Sequence, residues 1–188
     1  MATIAHRPAV TAPGTAPVAT STTTSIAATA TRYVFAGLRL AFGWTFLWAF
    51  LDKTFGLGHE TTSAAAWING GHPTQGFLKF GAQGPFADFY HSIAGAWWAD
   101  WLFMIGLLGL AIALIGGIGL RIAAVAGSVL YVLMWTVVLP PDNNVFLDDH
   151  LIGALTLVAL ALVAAGDTLG LGKLWSRLPL VRKAPWLK

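Results

Sequence analysis

Four long apolar runs, with the charged residues placed at their ends, constrain this chain more than any other feature. The runs are Tyr33–Leu51, Trp101–Leu120, Ile122–Leu139 and Leu151–Gly166. A helix needs about 20 predominantly apolar residues to cross the hydrocarbon core of a bilayer, which is ~30 Å thick. Because each run approaches that length, the sequence predicts an all-α fold in which four transmembrane helices form one bundle.

The composition of the chain agrees with a membrane protein. Of the 188 residues, 56% are hydrophobic and 10% are charged, whereas a soluble domain carries about 25% charged residues. The sequence contains no cysteine, so cysteine-held iron–sulfur clusters, thiolate zinc sites and disulfides are excluded within it. None of its five histidines lies inside a predicted span, as a haem held between spans would require. We therefore expect no haem, iron–sulfur or metal site in this chain.

The chain divides into three predicted parts. Residues 1–31 are rich in Ala, Thr and Pro, and they carry too few large apolar groups to offset the entropy of ordering, so we expect a disordered cytoplasmic tail. Residues 32–172 form the membrane domain. Residues 173–188 combine five basic residues with two tryptophans. This mixture favours a segment that lies on anionic lipid headgroups, and a solvated basic tail is the alternative.

A long outer loop, residues 52–100, separates the first two predicted spans. Loops of this length are usually functional or partly ordered. Helical pieces are expected over Glu60–Asn69 and Thr74–Phe80, with a further turn of helix within Pro85–Gly95. The loop is interpreted either as a lid that seals the bundle or as a surface for a substrate or partner.

The distribution of lysine and arginine predicts the orientation. Basic residues precede the first run, occupy the turn between the second and third runs at Arg121, and follow the fourth run. The outer segments contain only Lys53 and Lys79. By the positive-inside rule, this is a multi-pass protein of the cell membrane with both termini in the cytoplasm. The net charge of +3 is concentrated in the C-terminal tail and indicates topology, not nucleic-acid binding.

Charged residues on or beside the spans are the first candidates for a functional site. A central arginine in an apolar span is costly, so Arg39 should face the bundle and find a partner there. Arg39 and Lys53 share one face of the first predicted helix. Asp149 and Asp167 share one face of the fourth, since about five helical turns separate them. If these faces oppose each other, Lys53 meets Asp149 at the outer edge. At the inner edge, Arg39 then reaches toward Asp167.

A cluster of titratable residues at the outer membrane edge supplies the second group of candidates. Asp148, Asp149 and His150 are consecutive, and we interpret them as a proton-exchange or quinone-headgroup site. For Asp148 the alternative is a helix N-cap, because carboxylates stabilise the N-terminal end of a helix. Secondary candidates, which are polar or aromatic groups on or beside the spans, are Asp52, Asp100, Tyr131 and Trp135.

The secondary candidates have open alternatives. Asp52 points away from Lys53, and we expect it to meet Lys79, to meet Asp100 or His150 in a protonated form, or to remain in water. Tyr131 and Trp135 lie on one face of the third span and either line a cofactor pocket or make interhelical contacts.

Part of this pattern resembles a known family. Five residues within the segment 38–58 resemble the first helix of the DoxX/DoxD-like membrane proteins: Arg39, Gly43, Phe46, Lys53 and Gly56. Four spans, a glycine-rich second helix and Gly166-Asp167 at the end of the last helix are similar to that family as well, over about residues 32–172. The aromatic outer loop is nearer the DoxD type. The resemblance implies a four-helix bundle, with Arg39, Lys53 and Asp167 as family-like polar positions. In some members this bundle is a membrane subunit of thiosulfate:quinone oxidoreductase.

Two functions follow as hypotheses. In the first, the chain is an integral membrane subunit of a quinone-linked oxidoreductase that binds quinone near Arg39, Lys53, Asp149 and His150 and uses the electron carriers of a partner. In the second, it is a non-catalytic anchor or assembly subunit of a larger respiratory complex, and its charge pairs only set the helix register. Expected partners are membrane lipids and either other subunits of a membrane redox complex or further copies of the chain. A transporter is disfavoured because the sequence shows no internal repeat or broken helix pair.

Overall fold

A computed structural model describes residues 22–142 and 144–188, and these residues are helical with no β-strand among them. The α-helices, in chain order, are α1 Thr22–Phe55, α2 Ala87–Ile93, α3 Trp97–Gly116, α4 Leu120–Val137, α5 Asp149–Leu162, α6 Gly172–Trp175 and α7 Pro179–Lys183. Single turns of other helix types connect them.

Three of the helices are long and apolar enough to cross a membrane: α3, α4 and the part of α1 over Ser25–Phe55. Helix α5 is also apolar, but it has only 14 residues. The outward faces carry large hydrophobic side chains, for example Val34 on α1, Ile105 on α3 and Val125 on α4. Contiguous exposed apolar surface of this kind is typical of helices that face lipid. The described residues are all-α, and three of their helices have the length and composition of membrane spans.

Helix α1 begins earlier than the sequence predicts. It starts at Thr22, so residues 22–31, which we expected in the disordered tail, are helical. The rest of that expected tail, residues 1–21, lies outside the described residues. Alanine in this stretch favours helix, and the apolar run that follows continues it without interruption.

Residues in the left-handed backbone conformation set two other helix boundaries. Gly117 and Gly119 have φ angles of 68° and 59°, so α3 ends at Gly116 and α4 begins directly afterwards. Glycine adopts this conformation without a steric penalty. Helix α5 stops at Leu162, short of the predicted end, because Ala164 has a φ of 49° and a turn of 3₁₀-helix follows it.

Residues 56–96, between α1 and α3, consist of short turns and the two-turn helix α2. Over the predicted helix Glu60–Asn69, the structure has two separate 3₁₀ turns, Ser63–Ala65 and Trp67–Asn69. A π-helical turn, Phe77–Gly81, and a 3₁₀ turn lead into α2. Trp67 packs edge-on against Trp101 of α3, with 4.7 Å between ring centroids, so this segment is anchored to the membrane helices.

The helices pack in neighbouring pairs. α1 lies along α3, α3 contacts α4, and α4 lies along α5. α1 meets the α5 side of the molecule mainly through the turn Ala165–Asp167. We call the end with residues 56–96 and 138–148 the loop end, and the end with the turn 117–119 and residues 163–188 the tail end. The core between them is apolar, and its largest buried members are Phe46, Met104, Leu107, Leu110, Leu114, Leu120, Leu157 and Leu160.

Candidate functional site

The predicted site residues fall into two groups at opposite ends of the helices. Arg39 and Asp167 lie at the tail end, whereas Lys53, Asp149 and His150 lie at the loop end. On α1 alone, the 14 residues from Arg39 to Lys53 span about 21 Å at the helical rise of ~1.5 Å per residue. The structure therefore does not bring the five leading candidates together into one site.

Arg39 is completely buried, and its partners are backbone carbonyls rather than a carboxylate. Nη1 donates to the carbonyls of Leu114 and Ile115 in the last turn of α3. Nε donates to Ala165 O at 3.2 Å, and Nη2 donates to Leu169 O at 2.8 Å, both in the turn that follows α5. The last carbonyls of a helix have no partner within it and carry partial negative charge. Arg39 therefore joins the ends of α3 and α5.

Glycines make room for the guanidinium. A Cβ on Gly117 would lie 3.2 Å from Arg39 Nη1, and a Cβ on Gly170 would lie 3.1 Å from Arg39 Nη2. A Cβ on Gly166 would collide with the carbonyl oxygen of Gly117. The sequence shows the glycines around this site. It does not show which carbonyls accept from Arg39, since every residue has a backbone carbonyl.

The two predicted charge pairs are wrong. The Nζ of Lys53 lies 3.4 Å from Oε2 of Glu60, and it is not paired with Asp149. Arg39 does not reach the carboxylate of Asp167, whose side chain is exposed. The reason is the packing order, because α1 lies along α3 and the faces of α1 and α5 that we expected to oppose each other do not meet along their length.

Asp52 is buried at the loop end, where it holds the chain that follows α1. Its carboxylate accepts the backbone N–H groups of His59, Glu60 and Thr61 at 3.3, 3.1 and 2.9 Å. It meets neither Lys79 nor the other groups that we expected as partners. Charge-assisted hydrogen bonds of this kind order a loop strongly.

Asp100 has a matching role in the first turn of α3. Its carboxylate accepts the backbone N–H and the hydroxyl of Thr74 at 3.0 and 2.6 Å. The Nδ1 of His72 lies 2.8 Å from its other oxygen. Asp52 and Asp100 therefore anchor two successive pieces of the segment 56–96. Sequence reasoning missed His72 and Thr74, because their distance from Asp100 along the chain conceals the contact.

Asp148 is the N-cap of α5, which confirms the capping alternative. Its side chain accepts the backbone N–H groups of His150 and Leu151. The same carboxylate also lies 2.5 Å from Nδ1 of His150. A carboxylate on one ring nitrogen orients a histidine and leaves the other nitrogen for a ligand. Here Nε2 of His150 makes no hydrogen bond within the described part of the chain.

The imidazole of His150 lies between aromatic rings. The ring of Tyr131 on α4 is edge-on to it with centroids 6.1 Å apart, and the ring of Phe77 is 6.5 Å away. Gly153 permits this arrangement, because a Cβ there would lie 2.7 Å from two ring carbons of Tyr131. Trp135, one helical turn beyond Tyr131, donates its indole N–H to the carbonyl of Phe146 at 2.7 Å. It anchors the segment that precedes α5.

An open pocket of about 540 Å³ lies beside His150 at the loop end. Its walls come from the π-helical region, the end of α4, the residues before α5 and the first turns of α5. The polar lining groups are Gln83, Asp142, Asn144, Asp148, Asp149 and His150, and the apolar ones include Val138, Leu147 and Ile152. The volume is within the range of small-molecule sites, and the lining combines polar and apolar residues in similar numbers.

The fold and these contacts define a helical membrane protein with a histidine-containing pocket at one end of its helices. Comparisons with protein-family models, with curated proteins and with solved structures find no match to this chain.

Proposed function

We propose that this protein is the membrane subunit of a quinone-linked oxidoreductase, as in some DoxX/DoxD-like proteins, and that it binds the quinone headgroup in the loop-end pocket. The observation that carries the proposal is the Asp148–His150 pair at the wall of that pocket. His150, with Nδ1 held by Asp148, presents Nε2 to a quinone carbonyl oxygen. Asp149 lines the same pocket and is exposed, so it can exchange protons with water.

Reduction of a quinone to a quinol takes up two electrons and two protons. In this proposal the electrons come from a redox centre of a partner subunit. The described residues contain no group of three or more His, Cys, Asp or Glu side chains placed to hold a metal ion. The residues of this chain bind and orient the ring, His150 delivers one proton through Nε2, and the second proton reaches the other quinone oxygen from water through Asp149. Lys53 and Arg39, which the sequence predicted in this site, bond elsewhere. Lys53 pairs with Glu60, and Arg39 donates to backbone carbonyls at the tail end.

Binding of a short-chain quinone to the purified protein in lipid nanodiscs tests the proposal, with quenching of tryptophan fluorescence as the signal. We expect His150→Gln to weaken binding at least about tenfold, which corresponds to the loss of one charge-assisted hydrogen bond. His91→Gln is the matched control, because His91 is exposed on α2 and is not among the residues that line the pocket. Equal affinity of the His150 and His91 variants would contradict the site.

The membrane topology belongs to the same proposal. We infer four spans, the fourth formed by the 14 residues of α5, about 21 Å long at ~1.5 Å per residue, and completed at the tail end by the turn Ala165–Asp167. The tail end faces the cytoplasm, since Arg121 and the basic C-terminal residues lie there. Because the chain has no cysteine, single cysteines introduced at Thr62 and Lys183 test the orientation. A membrane-impermeant maleimide should label only the Thr62→Cys variant in intact cells.

One observation favours a second candidate, the non-catalytic anchor or assembly subunit. The buried charged side chains in the described residues, Arg39, Asp52 and Asp100, all bond to groups of this chain itself. These contacts stabilise the fold, and they occupy the three buried charged groups with hydrogen bonds inside the chain. Copurification separates the two functions. In the anchor, a stoichiometric complex forms without quinone binding, and His150→Gln changes neither assembly nor the turnover of the complex.

A further inference from the structure

The C-terminal segment, residues 172–188, folds back onto the start of α4 at the tail end. The backbone N–H of Arg121 donates to Lys188 O at 2.6 Å, and its Nη1 donates to Pro185 O at 2.9 Å. Val181, in α7, is completely buried. The segment is therefore an ordered part of the tail end, and the direction of its outer face is set by these contacts.

That outer face combines positive charge with apolar side chains. The exposed basic residues make no side-chain hydrogen bonds within the described part of the chain, and they are Lys173, Arg177, Arg182, Lys183 and Lys188. The exposed apolar residues between them are Leu174, Leu178, Leu180 and Trp186. The one acidic residue between 163 and 188 is Asp167. A surface of this composition suits the boundary between anionic headgroups and acyl chains.

A pocket of about 190 Å³ opens beside this face, between the start of α4, the end of α5 and the C-terminal segment. Arg121 and Lys188 supply side-chain donors to its lining, the hydroxyl of Ser176 donates to Lys173 O at 2.9 Å, and Asp167 is the one acidic side chain. Only Nη1 of the Arg121 guanidinium has an acceptor among the described residues. On the α5 side, the lining ends at Leu162, whose side chain is 81% exposed on the apolar surface of α5.

We propose that this pocket binds the phosphate headgroup of an anionic phospholipid. Arg121 and Lys188 contact the phosphate, the basic face of residues 172–188 lies on neighbouring headgroups, and the acyl chains follow the exposed side of α5 past Leu162 and Leu155. Basic pockets beside transmembrane helices bind anionic headgroups because a membrane surface adds an attraction for each nearby Lys or Arg. The site is at the opposite end from the quinone pocket and does not depend on it.

Native mass spectrometry of the full chain in mild detergent, with added lipid, tests the proposal. We expect phosphatidylglycerol to bind at least about tenfold more tightly than phosphatidylcholine, and we expect added salt to weaken the preference. Arg121→Gln should weaken phosphatidylglycerol binding about fivefold, the value for one surface charge. Asp167→Asn should strengthen it, because the variant removes the one acidic side chain of the lining.

Two further variants test whether lipid binding depends on positive charge at the tail end specifically. Because Arg121→Gln also loosens the bond to Pro185, a variant with Arg177, Arg182 and Lys183 all changed to Gln lowers the positive charge without touching a hydrogen bond of the fold. It should also lose affinity, whereas Lys79→Gln at the loop end should not. Equal binding of the two lipids, an equal loss in the Lys79 variant, or displacement of the lipid by soluble glycerol phosphate at the same concentration would overturn the proposal.

Discussion

The guanidinium of Arg39 donates to the backbone carbonyl of Leu169 at 2.8 Å, and this bond connects the middle of α1 to the turn after α5. The other buried side chains at the tail end are apolar, so the hydrogen bonds of Arg39 are the main polar connection there between α1 and the α5 side of the molecule. The Arg39 side chain is fully buried, whereas Leu169 is 62% exposed. Each would lose its partner if the other were removed.

Arg39→Lys should destabilise the protein strongly. A lysine has one ammonium group and cannot reach the carbonyls of both α3 and the turn after α5, so several buried acceptors lose their donor. We expect a loss of at least about 2 kcal/mol in the free energy of unfolding. The midpoint of thermal unfolding in detergent measures it. Arg32→Lys is the control, because Arg32 is exposed on the same helix, and an equal midpoint for the two variants would contradict the role of Arg39.

Gly153→Ala should disturb the contact between α4 and α5. The added Cβ would lie 2.7 Å from ring carbons of Tyr131, and overpacking of this kind costs roughly 1–3 kcal/mol. The same substitution in a Tyr131→Ala background should cost less, since the ring is gone. Gly109→Ala on α3, where a Cβ has nothing within 4 Å, should be neutral or stabilising. The thermal unfolding midpoints of Gly153→Ala, Tyr131→Ala and the double variant form a double-mutant cycle, with Gly109→Ala as the control. Equal costs of Gly153→Ala with and without the Tyr131 ring would contradict the predicted clash.

Asp52→Asn should release the backbone of residues 59–61. The amide retains one acceptor oxygen for three N–H groups, and the loss of charge-assisted bonds costs about 1–3 kcal/mol locally. Hydrogen–deuterium exchange measured by mass spectrometry should show faster exchange there and little change at residues 72–76.

Asp100→Asn should produce the reverse pattern, with faster exchange around Thr74 and protection retained at residues 59–61. The two carboxylates hold separate pieces of the segment, so their effects should separate. Asp88→Asn is the control for both, since Asp88 is exposed on α2. If either variant loosened the whole segment equally, the two anchors would not be independent.

The Lys53–Glu60 ion pair should contribute little. Glu60 is 80% exposed, and exposed ion pairs are worth about 0–1 kcal/mol. Lys53→Met should therefore change the unfolding midpoint only slightly. A charge reversal of Lys53 and Glu60 together should restore any defect of Lys53→Glu. The reversal of Lys53 and Asp149, which the sequence alone would recommend, should not restore it.

The sequence by itself determined that the chain forms apolar helices with polar ends, because hydropathy and length are local properties that the bilayer imposes on every span. It also indicated the cap at Asp148, since a capping carboxylate bonds to N–H groups two and three residues ahead.

The tertiary structure decided where the buried charges find partners. Arg39 meets carbonyl oxygens of α3 and of the turn after α5, and Asp52 meets backbone N–H groups, so neither contact leaves a signature in residue type. Complementary charges in the sequence suggested the partners Asp167 for Arg39 and Asp149 for Lys53. The packing of α1 along α3 placed other acceptors nearer. A buried charge bonds to whatever polar group the fold brings within reach, and the backbone supplies such groups at every residue.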